Sequence, residues 1–410
     1  MNPEQLKAFE VAKSGKSIGL FSEAGTGKTF VTKKIIEWAK ENSKSVGITS
    51  STGTSAITMG GRTLHSFLGI GLAQKSAYNL VVNTRSKNPN TITKLKNLDI
   101  LIIDEVSMIS AELFDKVSEY LAIIRNRKDT PFGGVQLVLS GDMCQLPPVN
   151  GEYPFLSKSW KDLNLVCIDF IEQVRQQGDK VFQRILSETR FGICSPETLK
   201  TLKSLKNPSF GEIEPTILFS KNINVDNINV TKYSELIKKG AKRATYETTY
   251  SADKNTKAWA EGLKIPQTVD LCVGAQVMLT VNLSVEEGFA NGSRGMVTDF
   301  TEDGPVVLFK NGEQIIIEPW LFKDDNDEEI WAYVIPLKLA YALTIHKSQS
   351  MTLDAAIIDL GPSIFECGQA YTALSRVRDM KSVKIINIIE SSFKTAEEVI
   401  KFYNEIKLSQ

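Results

Sequence analysis

Ser22-Glu23-Ala24-Gly25-Thr26-Gly27-Lys28-Thr29 follows the apolar run Ile18-Gly19-Leu20-Phe21 and leads into Phe30-Val31-Thr32-Lys33-Lys34-Ile35-Ile36-Glu37-Trp38. The run reads as a buried strand, and the segment after the loop puts Val31, Ile35 and Trp38 on one helical face. Strand, glycine loop and helix opening on G-K-T form the setting that a phosphate-binding loop requires. Backbone N–H groups of Ala24, Gly25, Thr26 and Gly27 would face the phosphates. Lys28 would reach the β- and γ-phosphates, and the Thr29 hydroxyl would ligate magnesium. One position departs from the pattern: Ser22 stands where the first glycine of G-x-x-x-x-G-K-[ST] belongs. A serine tolerates positive φ poorly, so this corner is expected to be slightly altered.

Two further segments belong to the same edge. Leu98-Asp99-Ile100-Leu101-Ile102-Ile103-Asp104-Glu105 is an apolar strand ending in two carboxylates. In a phosphate-loop protein Asp104 takes the magnesium-binding place, and Glu105 orients or deprotonates an attacking water. Val135-Gln136-Leu137-Val138-Leu139-Ser140-Gly141-Asp142 is another core strand, and Gln145 just beyond it is placed to touch a γ-phosphate. With Ser45–Ser50 these strands predict an α/β fold, a parallel sheet with its ligand at the carboxyl edge.

At 410 residues the chain is expected to hold two to four modules. Hydrophobic content of 42% and charged content of 23% are those of a globular, non-membrane chain. No run of about 18 apolar residues and no leader pattern is present. Five scattered cysteines without a C-x-x-C pair argue against a zinc site or a disulfide framework. Lys and Arg together number 48, as do Asp and Glu, so any polyanion would be held in a local groove rather than by a global field.

Taken in order, Asn2 caps a short helix over 2–12 with Pro3 in its first turn, and 71–97 is a small polar excursion. A second α/β pattern has strands at 216–220, 355–360 and 383–388 without a second phosphate loop. Between them, 243–335 carries short strands with turn residues, which suggests an inserted small β-barrel. The acidic run 324–329 reads as a solvated loop. The expected division is a first lobe at 1–70 and 98–180, an insertion at 71–97, a second lobe at 181–242 and 336–410, and the barrel at 243–335.

The ordered motifs E-Q-L-K-A-F, A-G-T-G-K-T, S-S-T-G-T-S-A, G-G-R-T-L-H-S-F, I-I-D-E-V-S-M, G-D-M-C-Q-L-P-P-V, E-Q-V-R-Q, N-G-S-R-G, L-T-I-H-K-S-Q-S-M-T-L-D and G-Q-A-Y-T-A-L-S-R-V run nearly the length of the chain. Together they resemble the superfamily-one helicases of the petite-integration-frequency (PIF) type and their RecD-like relatives. Ser350 departs from the family's K-S-Q-G, as Ser22 does from its glycine. The resemblance implies two RecA-like lobes, ATP and Mg2+ as cofactors, and 5′-to-3′ movement on single-stranded DNA. It implies adenine recognition by Gln5, arginine fingers at Arg175 and Arg376, and DNA contacts at Thr52, His65, Thr344, His346, Lys347 and Ser348. Tailed or forked duplex is the implied partner and repair, recombination or replication the implied setting. A monomer acting in the cytoplasm of a bacterial or viral system is the expectation. Two other readings stay open: a phosphate-loop ATPase that remodels a partner other than nucleic acid, and a DNA-binding module with a decayed ATPase.

Overall fold

The computed structural model describes residues 1–173, 178–206, 215–253, 255–263, 265–284, 287, 289, 291–309, 311–324, 327–353 and 355–409. Its chain forms two compact units: one of 1–199, 365–375 and 390–410, the other of 200–364 and 376–389.

The first unit is built on six strands: β1 (Ile18–Phe21), β2 (Val46–Ser50), β3 (Arg62–Thr63), β4 (Ile100–Asp104), β5 (Gln136–Gly141) and β6 (Val166–Ile168). They pair in parallel in the order β3-β2-β4-β5-β1-β6. Burial on both faces explains why β1 and β4 read as continuous apolar runs rather than alternating ones. On one face lie the helices α1 (Pro3–Lys13) and α2 (Lys28–Glu41), whose Ala8, Ala12, Val31, Ile35 and Ala39 pack on Ile18, Leu20, Ile100, Ile102 and Val138. The expected start of α1 is present as a capping box, with Asn2 accepting from the Gln5 N–H and Gln5 accepting from the Asn2 N–H.

The expected excursion at 71–97 contains two helices, Ala77–Lys87 and Pro89–Lys96, against the helix Ala111–Ile124. Tyr120 on that last helix donates to the Leu68 carbonyl at 2.8 Å.

The opposite face holds a finding that the sequence order hides. The C-terminal helix Glu397–Ser409 belongs to this first unit, and its Phe402 ring meets Phe155, Phe21 and Trp160 at centroid separations of 4.5, 5.4 and 6.1 Å. Segments 181–199, 365–375 and 390–410 thus fall in the first unit, whereas a division at 180 assigned them to the second lobe. Buried aromatic area and the polar contacts described below hold them there, and neither is visible as a composition shift.

The second unit has a four-stranded parallel sheet of Ala342–Thr344, Thr216–Phe219, Ala356–Leu360 and Val383–Ile388, in that spatial order. The expected β-barrel region forms three antiparallel sheets: a pair, a three-stranded sheet, and a five-stranded sheet that takes in Gln276–Leu279, Arg294–Phe300, Pro305–Phe309 and Gln314–Ile316. Leu271, Val277, Val297, Val307, Ala332 and Leu337 from these sheets share one apolar core. The acidic run is not simply a solvated loop: it lies where strands Trp320–Asp324 and Asp327–Val334 pair antiparallel, with 325 and 326 outside the described residues.

Removing the C-terminal aromatic anchor should destabilise the first unit. Phe402→Ala is expected to cost about 3–5 kcal/mol in chemical denaturation, the usual range for a large aromatic lost from a core. A loss below about 1 kcal/mol would show that the helix is only a surface appendage.

Candidate nucleotide and nucleic-acid site

The phosphate loop leaves β1 and closes on α2 with Gly25 at φ +91° and Gly27 at φ +90°, a conformation that side chains resist. Ser22, by contrast, has no positive φ. Its buried hydroxyl pairs with that of Thr26 at 2.8 Å, and Thr26 in turn donates to the Glu23 carbonyl at 3.0 Å. The expected distortion at this corner is therefore absent; the serine adds a hydroxyl contact across the loop. Ser350 is the residue that does adopt the glycine conformation, at φ +68°.

Lys28 donates to the carbonyls of Ser22 and Glu23 at 2.6 and 2.7 Å. Burial lowers its pKa, opposed by the charges of Asp142, Glu105 and Asp104. Thr29 is exposed at the start of α2. Gln5 is buried, with its amide nitrogen 3.4 Å from the Thr26 carbonyl, so α1 is tied directly to the loop.

Asp104 ends β4, separated from β1 in the sheet by β5 alone. Burial, then the neighbouring Glu105 carboxylate, push its pKa up to about 6, while Ser55 donates to it at 2.6 Å. Glu105 sits at φ +51°, a strained position for a non-glycine residue, and Ser51 donates to its carbonyl at 2.9 Å. A half-buried carboxylate crowded by a second one is the donor set that a hard divalent cation would satisfy.

Gln145 is buried in the turn after β5, its N–H bonded to the Asp142 carbonyl at 3.0 Å. The Asp142 side chain has no solvent exposure. Its Oδ1 accepts from Arg190 Nε at 3.2 Å, from the Tyr403 hydroxyl at 2.9 Å and from the Cys144 N–H at 3.1 Å. Its Oδ2 accepts from the Tyr371 hydroxyl at 2.8 Å. Burial would lower the Arg190 pKa, but Asp142 together with Tyr403, Cys144 and Tyr371 offsets it and holds the guanidinium well above its ordinary value. Arg190 also lies over the Tyr403 ring, 4.3 Å from its centroid.

Of the expected arginine fingers, Arg175 lies outside the described residues. Arg376 belongs to the second unit, where its buried guanidinium is 3.5 and 3.4 Å from the carbonyls of Ser348 and Met351. The expected DNA-contacting residues divide likewise. In the first unit Thr52 accepts from the Ser55 N–H at 3.2 Å, and His65 is half-buried, with burial lowering its pKa. In the second unit Thr344 accepts from the Lys347 N–H at 3.2 Å, Lys347 is exposed, His346 is half-buried and Ser348 is buried with its hydroxyl on the Ile345 carbonyl at 2.8 Å. Each threonine ends or follows a parallel strand and turns the chain into a short helix.

Residues 1–189 match the model of a family described as PIF1-like helicase, and residues 264–300 match the 2B domain of DNA helicase Pif1. A solved Pif1 helicase from Candida albicans is 31% identical, with a TM-score of 0.84 and 99% of each chain covered. The chain belongs to the PIF1-like helicases. A Pif1 helicase from Bacteroides, solved with ADP-AlF3 and single-stranded DNA, is 28% identical, with a TM-score of 0.72 over 100% of this chain and 97% of that one. The ATP-dependent DNA helicase PIF1 of Xenopus laevis is 34% identical over 99% of this chain. This chain spans 64% of that relative's length.

Reading the sequence missed Asp142, Arg190, Tyr371 and Tyr403 as one cluster. A signal existed for the first of them, since an aspartate directly after a buried strand must be paired or stay outside the core. Its three partners lie 48, 229 and 261 residues further along the chain, beyond the reach of local pattern.

The two serine departures should behave oppositely. Ser22→Gly loses the contact to Thr26 and is expected to lower unfolding stability by about 1 kcal/mol, with no gain in turnover. Ser350→Gly relieves a left-handed serine and is expected to be neutral or stabilising by up to about 1 kcal/mol. The reverse ranking in a denaturation series would refute these backbone assignments.

Proposed function

We propose that this PIF1-like helicase is an ATP-dependent DNA helicase that moves 5′ to 3′ on single-stranded DNA and couples hydrolysis to duplex opening. The observation that carries the proposal is the phosphate loop at one carboxyl edge with Asp104, Glu105 and Gln145. The polarity and the DNA substrate draw support from the family, including the Bacteroides relative solved with a nucleotide–fluoroaluminate and single-stranded DNA.

In this reading Lys28 leaves the loop carbonyls for the β- and γ-phosphates, while the amides of Gly25, Thr26 and Gly27 take the remaining phosphate oxygens; the expected Ala24 N–H is committed to the Tyr371 hydroxyl at 3.2 Å instead. Gln5, already anchored on the loop, would meet the adenine edge. Thr29 and Asp104 would hold Mg2+, which when bound neutralises phosphate charge. Glu105 orients the attacking water, and its strained backbone fixes the direction of its side chain. Gln145 reads the γ-phosphate. Arg175 and Arg376 are proposed as arginine fingers, a role worth on the order of 10³–10⁵ in rate in related systems.

Thr52, His65, Thr344, His346, Lys347 and Ser348 would contact the DNA backbone, where hydroxyls and amides position phosphates without reading sequence. The lowered pKa of His65 makes it a neutral hydrogen-bonding partner near pH 7 rather than a cation. The insertion at 71–97 is proposed as the strand-separating element, since Leu72 and Tyr78 are exposed there at 82% and 64%. Their apolar surfaces could stack against an opening base pair. Monomeric translocation and a cytoplasmic location complete the proposal; no described helix is long and apolar enough to cross a membrane.

Single-stranded DNA should raise ATP turnover many-fold, and Lys28→Ala should abolish it in a chain that still folds. A 5′-tailed duplex should be unwound and a 3′-tailed one left intact. High turnover indifferent to DNA would favour a remodelling ATPase instead, and absent turnover with intact DNA binding would favour a decayed module.

A further inference from the structure

Tyr371 lies in the helix Gln369–Leu374, which falls in the first unit although the residues before 365 and after 375 belong to the second. Its side chain is almost wholly buried, and its hydroxyl sits between two partners. The oxygen accepts from the Ala24 N–H of the phosphate loop at 3.2 Å, and the proton goes to Asp142 Oδ2 at 2.8 Å. That direction is fixed, because a backbone N–H only donates, which makes the phenol oxygen its acceptor and leaves the proton for the carboxylate. Burial, then the charge of Asp142, raise the phenol well above its ordinary pKa, so it keeps the proton.

The same helix touches the Gln145 turn independently through its backbone. Gly368, its N-cap, has φ +72°, and a Cβ built there would lie 2.3 Å from the Gln145 carbonyl oxygen and 2.4 Å from that of Cys144. At the other end Ser375 N–H bonds the Tyr371 carbonyl at 2.9 Å, and Arg376 is the next residue. One six-residue helix therefore joins the phosphate loop, the γ-phosphate-reading turn and the chain as it enters the second unit.

We infer that Tyr371 is a positioning residue for ATP hydrolysis: its hydroxyl fixes the Ala24 peptide of the phosphate loop against the turn that carries Gln145. Its kinetic consequence rests on the function proposed above; its effect on the loop does not. Tyr403 supplies the contrast. It donates to the same carboxylate and accepts from the Met143 N–H at 3.0 Å, and among the described residues it makes no hydrogen bond to the loop.

The test uses the full chain as wild type, Tyr371→Phe and Tyr403→Phe, each keeping its ring. Hydrogen exchange is followed in peptides covering 22–27, alongside ATP turnover with saturating single-stranded DNA. Tyr371→Phe is expected to speed exchange at Ala24 by about tenfold and to lower kcat by about tenfold, with KM for ATP within about twofold. Tyr403→Phe should lower the unfolding midpoint while leaving loop exchange as in wild type. Unchanged exchange and kcat in Tyr371→Phe would overturn the inference, as would two variants alike in every readout, which is the signature of a merely structural role. A wild type that does not hydrolyse ATP would sink the proposed function, and loop exchange would still decide the positioning claim.

Discussion

The buried carboxylate of Asp142 and the guanidinium of Arg190 are the pair on which the nucleotide unit depends. Each charge alone would be costly away from water, because burial removes solvation that nothing apolar replaces. The chain meets that cost by crowding donors around one side chain: the guanidinium, two phenols and the Cys144 amide. These donors come from the helix Lys180–Arg190, the helix Gln369–Leu374, the C-terminal helix and the turn after β5. Satisfying one carboxylate therefore requires three distant helices to reach the turn after β5. Breaking such a pair typically costs about 3–5 kcal/mol.

The consequence for function is one of placement. Asp142 begins the turn that presents Gln145, and through Tyr371 it reaches the phosphate loop. Glu23 of that loop is held in turn by Gln173 and by Ser187, the latter at 2.8 Å, both from the segment that leads to Arg190. The loop is thus held at Glu23 by the segment that also carries the buried cation and at Ala24 by the helix Gln369–Leu374. Members of a buried polar network of this kind are coupled, so losing one costs more than its own contact.

Much of the site was legible in the sequence because its chemistry is local. Two glycines at positive φ, a lysine and a threonine at a helix start, and paired carboxylates at a strand end each leave a short string. The parallel sheet followed from strand runs that are apolar on both faces. What was not legible is long-range. No local pattern says that Phe402 will stack on Phe155, or that 365–375 and 390–410 return to the first unit. The two serine departures look alike as letters, yet only Ser350 takes the left-handed conformation, since φ depends on the surrounding fold.

The central claim, that one buried ion pair holds the nucleotide unit together, is tested most directly by a double-mutant cycle on Asp142→Leu and Arg190→Met in chemical denaturation. Each single change leaves a buried charge behind, so the double variant should be destabilised by at least about 2 kcal/mol less than the sum of the singles. Additive losses would contradict the claim and reduce the pair to two independent core residues.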